Sequence, residues 1–190
     1  MRETAAGHGR ITVSTYTMRP WLSELQRREV WRRISHLEPD ESATVDNIMC
    51  VAGLSYLMAA LAWSSAEDQN AAMGSPLIQT FMAPLWGAIG TGSTAVADTD
   101  AQLTAEAARS TLMAVGTTAA SHLIDALLTW SFLFGVPAST TVIAEAGVFL
   151  NGTTAVNTGQ LFDHALISPT VSQATNQLAT LNVTLSFGNI

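Results

Sequence analysis

The sequence predicts a mainly β fold: a β-sandwich or jelly-roll-like body with an N-terminal helical region, α+β overall. Three observations carry this. First, "RITVSTYTM" near the start and "LATLNVTLSF" near the end alternate apolar and polar residues with a period of two. Second, the C-terminal half breaks into short β-rich runs separated by Gly, Pro and Asn turns, the spacing of a sandwich or barrel. Third, the N-terminal half instead carries two stretches with helical spacing.

In order along the chain, Ile11, Val13, Thr15 and Thr17 alternate with Thr12, Ser14 and Tyr16 in a strand that Pro20 ends. "WLSELQRREVWRRISHL" follows as a possible helix, with Ser23 as its cap and Trp31 and Ile34 on a ragged apolar face. "LEPDESATVDN" reads as a loop. Thr44 is a candidate N-cap with Asp46 in the first turn, and Val51, Leu54, Met58 and Leu61 then recur at helical spacing, which predicts a packed helix over 45–63. The sandwich is expected over 77–188. "LIQTFMAPLWGAIGTG" gives apolar strands broken at Pro84 and closed by the Gly90-Thr91-Gly92 turn. A polar loop leads to Leu103, Glu106 and Arg109, of which the last two would pair if helical. "HLIDALLTWSFLFGVP", "STTVIAEAGVFL", "QLFDHALISP" and "LATLNVTLSF" supply the remaining strands, with "NGTTAVNTG" as a turn-type loop.

Composition adds a constraint. Of 190 residues, 48% are hydrophobic and only 12% charged. So thin a charged surface favours burial of apolar surface against other subunits. The longest apolar run, Asn47–Trp63, is short for a bilayer helix, which takes roughly 20 residues, and it lacks a basic flank. No membrane span is expected. "MRETAAGHGRITV" has no apolar segment of the kind secretion signals carry. The lone Cys50 sits in an apolar run and has no second cysteine to pair with.

Charge divides the chain into a basic N-terminal arm, 1–40, and a single acidic body, 41–190. Up to Arg33 the net charge is +4; from Ile34 onward it is −11, with Arg109 the only cation. The arm is expected to dock on something negative through Arg27, Arg28, Arg32 and Arg33. A neighbouring subunit fits better than nucleic acid, because no nucleic-acid recognition motif is present.

No catalytic, cofactor-binding or metal-ligating residue is assigned. His8, His36, His122 and His164 lack metal-ligand spacing. His164 follows Asp163, but neighbours in a strand point to opposite faces. "GAIGTGS" lacks the Lys-Ser/Thr ending of a phosphate loop. Glu145 stands out as an acid in the apolar stretch "VIAEAGVFL". In a strand it shares a face with Ile143 and Gly147, and a buried carboxylate needs hydrogen bonds or a cation. Arg109 is the natural candidate, so a structural Arg109–Glu145 ion pair is expected, with Glu106 competing for the same arginine.

Two segments together carry a resemblance. "LWGAIGTGSTAVADTDAQLTAEAARS" has an apolar strand, a G-T-G turn and a D-T-D element; "TWSFLFGVPASTTVIAEAGVFLNGTTAVNTGQLFDHALISPTVSQATNQLATLNVTLSF" carries I-x-E-A-G-x-F, then G-x-L-F and a closing alternating strand. This order, over about Thr44 to Phe187, resembles tailed-bacteriophage virion proteins of the tail, tail-fibre and minor structural group. The resemblance implies a non-enzymatic building block of a virion, assembled in the host cytoplasm, homo-oligomeric and contacting other virion proteins. It uses no cofactor. A capsid decoration or minor capsid protein and a glycan-binding adhesin are the alternatives. The arm has no counterpart in the resemblance.

Overall fold

The computed structural model describes residues 8–19, 26–49, 85–118 and 126–187. The fold is mainly β. Among the described residues there are eight strands: β1 (His8–Thr17), β2 (Glu41–Met49), β3 (Trp86–Gly90), β4 (Glu106–Thr118), β5 (Ala126–Phe134), β6 (Thr141–Leu150), β7 (Gln160–Gln173) and β8 (Gln177–Phe187). One helix, α1 (Arg27–Ile34), accompanies them. All strand pairs are antiparallel and close into a barrel in the order β1-β2-β7-β6-β3-β4-β5-β8. The expected sandwich is thus a closed barrel, in which every strand has two neighbours.

An eight-stranded barrel is just wide enough for side chains to fill. Ile11, Val13, Phe132, Phe134, Val148, Phe162, Leu181 and Val183 do so, all buried in one cluster. Trp130 meets Phe162 edge to face at 5.4 Å. The alternation read from β1 and β8 is what places these side chains inside. Thr12, Asn182 and Thr184 face outward and link to neighbours; Thr12 Oγ1 lies 2.9 Å from Thr44 Oγ1.

Two expectations need correction. The helix expected from residue 45 is not formed over its first turn, because Glu41–Met49 is strand β2, registered against β1 from Glu41↔Thr15 to Asn47↔Gly9. Thr44 is therefore a strand residue and caps nothing. Its segment has its own period of two, with Ala43 buried and Ser42 and Thr44 exposed, and the helical spacing belonged to the apolar residues after Cys50. Residues 50–84, with the rest of that helix, Cys50 and the first apolar strand, lie outside the described residues. So do Ser23, His122 and Asp125.

The second correction concerns the arm. Its strand β1 is a barrel stave between β2 and β8. Its helix α1 packs on the barrel through Val30 and Ile34, four residues apart, against Leu133 and Leu178. Glu29 in the first turn and Arg32 and Arg33 in the last suit the helix dipole. The arm and the body are one unit.

Candidate functional site

The most developed polar cluster lies on the outer face of β3, β6 and β7. A loop, Thr91–Ala105, folds over this face. Its Leu103 is fully buried against Trp86, Ala88, Phe149 and Leu161, a small core outside the barrel. Glu145 on β6 stands beneath the loop and is 0% exposed.

Glu145 is saturated. Its Oε1 accepts the Gly92 N–H at 3.0 Å and the Ala105 N–H at 2.6 Å, and its Oε2 accepts the Thr104 N–H at 3.0 Å. Nε2 of His164 lies 3.2 Å from Oε2, and Nδ1 of His164 lies 2.9 Å from Asp100 Oδ2. Asp100 belongs to the same loop, and its other contact is the Ala97 N–H at 2.9 Å. The Ala97 N–H and the neighbouring His164, working against partial desolvation, hold the Asp100 carboxyl below its ordinary value. The loop is thus clasped at both ends by Glu145 and near its middle by the His164–Asp100 contact. Both ring nitrogens of His164 thus face carboxylates, one on the barrel and one on the loop.

Local sequence makes room for this clasp. A Cβ at Gly90 would fall 2.6 Å from Glu145 Oε1, and one at Gly92 closer still. The G-T-G turn is therefore the wall of the carboxylate's cavity. Gly147 lies opposite His164 in the β6–β7 register, so His164 reaches Glu145 as a diagonal neighbour across the two strands.

A second buried carboxylate pins a second loop. Glu106 and Arg109 form a two-bond ion pair, Nε–Oε1 2.6 Å and Nη2–Oε2 2.7 Å, with side chains 0% and 1% exposed. Residues three apart in a regular strand face opposite ways. Here the register shifts so that Ala108 pairs with Ile89 while Glu106 pairs with Gly90. This bulge turns both side chains to one face. Glu106 then accepts the Asn157 N–H, and Arg109 donates to Thr158 O at 2.7 Å. The guanidinium lies 4.4 Å over the Phe149 ring. Together they hold the β6–β7 loop, whose turns use Asn151, Asn157 and Gly159 at positive φ.

The expected Arg109–Glu145 pair is therefore not formed: Arg109 belongs to Glu106, and Glu145 is served by three amides and His164. Glu145 is nevertheless buried and fully partnered. Sequence reading does not bring His164 and Asp100 together; the only signal at Asp100 is the D-T-D element that holds it.

The four arginines of the expected docking surface divide. Arg32 and Arg33 lie on the exposed side of α1 beside Glu29, at 3.2 and 3.0 Å. Arg28 is exposed. Arg27 instead reaches the barrel, donating to Thr111 Oγ1 at 3.0 Å, to Ser110 Oγ and to Leu133 O at 2.7 Å. Partial burial lowers its guanidinium from the ordinary value. Arg27 stands in an open cleft of about 660 Å³ between β4 and the β5–β6 loop, lined also by Ala107, Thr111, Val136 and Pro137.

No helix among the described residues is long and apolar enough to cross a membrane. Comparison of the chain with protein-family profiles, with curated proteins and with solved structures gives no match.

Proposed function

We propose that this chain is a non-enzymatic structural subunit of a tailed-phage particle, assembling by protein–protein contacts in the tail or fibre-attachment region. The observation that carries the non-catalytic half is the saturation of Glu145. A general acid or base must reach substrate. Glu145 has no exposed surface, three backbone N–H groups donate to it, and a His164 ring nitrogen stands against Oε2. It fastens a loop to a barrel. The Glu106–Arg109 pair does the same for a second loop. Such pegs fix the shape of a surface, and shape is what an assembling subunit presents.

The virion half rests on the motif order of the sequence. I-x-E-A-G-x-F lies on β6 and supplies Glu145, and the G-T-G turn supplies the glycines around it. The resembling motifs thus correspond to one physical device. The acidic surplus after Arg33 and the thin charged surface support burial against other subunits.

The test is immunogold labelling of intact particles from the host that carries the gene. Label at the tail is expected. Label on the shell would move the protein to the capsid-decoration alternative, and particles without label would refute a virion role.

A further inference from the structure

The barrel has a seam. β4 pairs with β5 only from Leu112↔Phe132 onward. Its first half, up to Thr111, pairs with β3 on one side and with no described strand on the other. The reason is local: β5 ends at Phe134, and Gly135-Val136-Pro137 turns the chain away. At the top of the seam side chains replace the ladder, with Ser110 Oγ and Arg27 both donating to Leu133 O. Below it, alternate backbone groups of Ala107–Thr111 face the cleft. An open edge of this kind is a template for another strand. The cleft volume, about 660 Å³, suits a short extended segment and excludes a domain.

Two further observations say what the segment is. Arg27 bonds only neutral oxygens and has no carboxylate partner among the described residues. Arg109, which also lines the cleft, is already neutralised by Glu106. An acidic side chain on the guest would complement Arg27. The chain itself offers one on a suitable segment. In the loop over β6, among the described residues, Ser93–Val96 make no backbone hydrogen bond and the exposed Asp98 has no partner. Glu145 at Gly92 and His164 at Asp100 fix the two ends of this stretch, so it is presented with little entropy left to lose.

We propose that Ser93–Asp98 of one copy lies along the open β4 edge of a second copy, with Asp98 against Arg27. The assignment rests on the assembling role proposed above. The two surfaces differ, so the contact is head-to-tail and builds a ring or an open stack.

The test is sedimentation velocity of the purified full chain and of Asp98→Arg, Arg27→Gln, Arg27→Glu and the double variant R27E/D98R, each checked for native circular dichroism. Asp98 is exposed and has no partner among the described residues, so Asp98→Arg is expected to keep the fold. The expected result is an oligomeric wild type, association weakened at least about tenfold in each folded single variant, and recovery in the double variant if its fold is native. Wild-type association in both Asp98→Arg and Arg27→Gln would overturn the contact while leaving the assembling role standing. A wild type that is monomeric at every concentration would overturn both.

Discussion

His164 stands between two carboxylates, with Nε2 3.2 Å from Glu145 and Nδ1 2.9 Å from Asp100. Glu145 is a barrel residue and Asp100 a loop residue, so this imidazole is the bridge between body and loop.

Removing the peg should be costly. Glu145→Ala leaves three amides and an imidazole without their acceptor in a buried site. A destabilisation of roughly 3–5 kcal/mol is expected, read from the midpoint of urea unfolding. Glu145→Gln keeps the shape but turns an amide N–H₂ toward N–H donors, and should cost about 1–3 kcal/mol. A change below about 0.5 kcal/mol in both variants would contradict the peg.

The glycine wall gives an independent check. Gly90→Ala and Gly92→Ala each drive a methyl into the Glu145 carboxylate and should destabilise by about 1–3 kcal/mol. Gly135→Ala meets nothing within 4 Å and should stay within about 0.5 kcal/mol of wild type. Thermal unfolding compares the three.

The second peg should not tolerate a conservative exchange. Arg109→Lys loses the two-bond geometry with Glu106 and the flat contact with Phe149. About 2–4 kcal/mol of destabilisation is expected in urea. Replacing Glu106 and Arg109 together by Gln and Met should cost less than the sum of the single changes, because neither partner is then left buried and alone.

Acid should loosen the first loop through Asp100. Its pKa is lowered in the folded chain, so its contribution is fully present above the unfolded value near 3.8 and is lost as pH falls through the lower folded value. At Asp40 desolvation, the largest single effect, is outweighed by the Thr17 and Gln177 hydrogen bonds and the Arg19 charge taken together, so its carboxyl is also lowered and acts in the same direction. Melting temperature should therefore drop below about pH 4. Asp100→Asn should flatten part of that drop. An unchanged acid slope in Asp100→Asn would contradict the linkage.

The strands were legible where one face is wet and one dry, as in β1 and β8. Barrel closure was not, because it depends on which distant strands pair, and alternation carries no partner. β2 was misread because the helical spacing after Cys50 was extended back through Thr44. Glu145 was legible as a structural acid from its apolar surroundings. Its partner was not, because a bulge in β4 joins Glu106 to Arg109 where a regular strand would part them. The His164 contact needed the β6–β7 register, which places His164 opposite Gly147 and diagonal to Glu145.

The proposed assembling role is tested most directly by the mass of the purified chain in solution. Sedimentation equilibrium over a wide concentration range should give a discrete oligomer, or a growing stack, from this 20.1 kDa protein. A single species of monomer mass across the whole range would contradict the claim that this barrel is built to assemble.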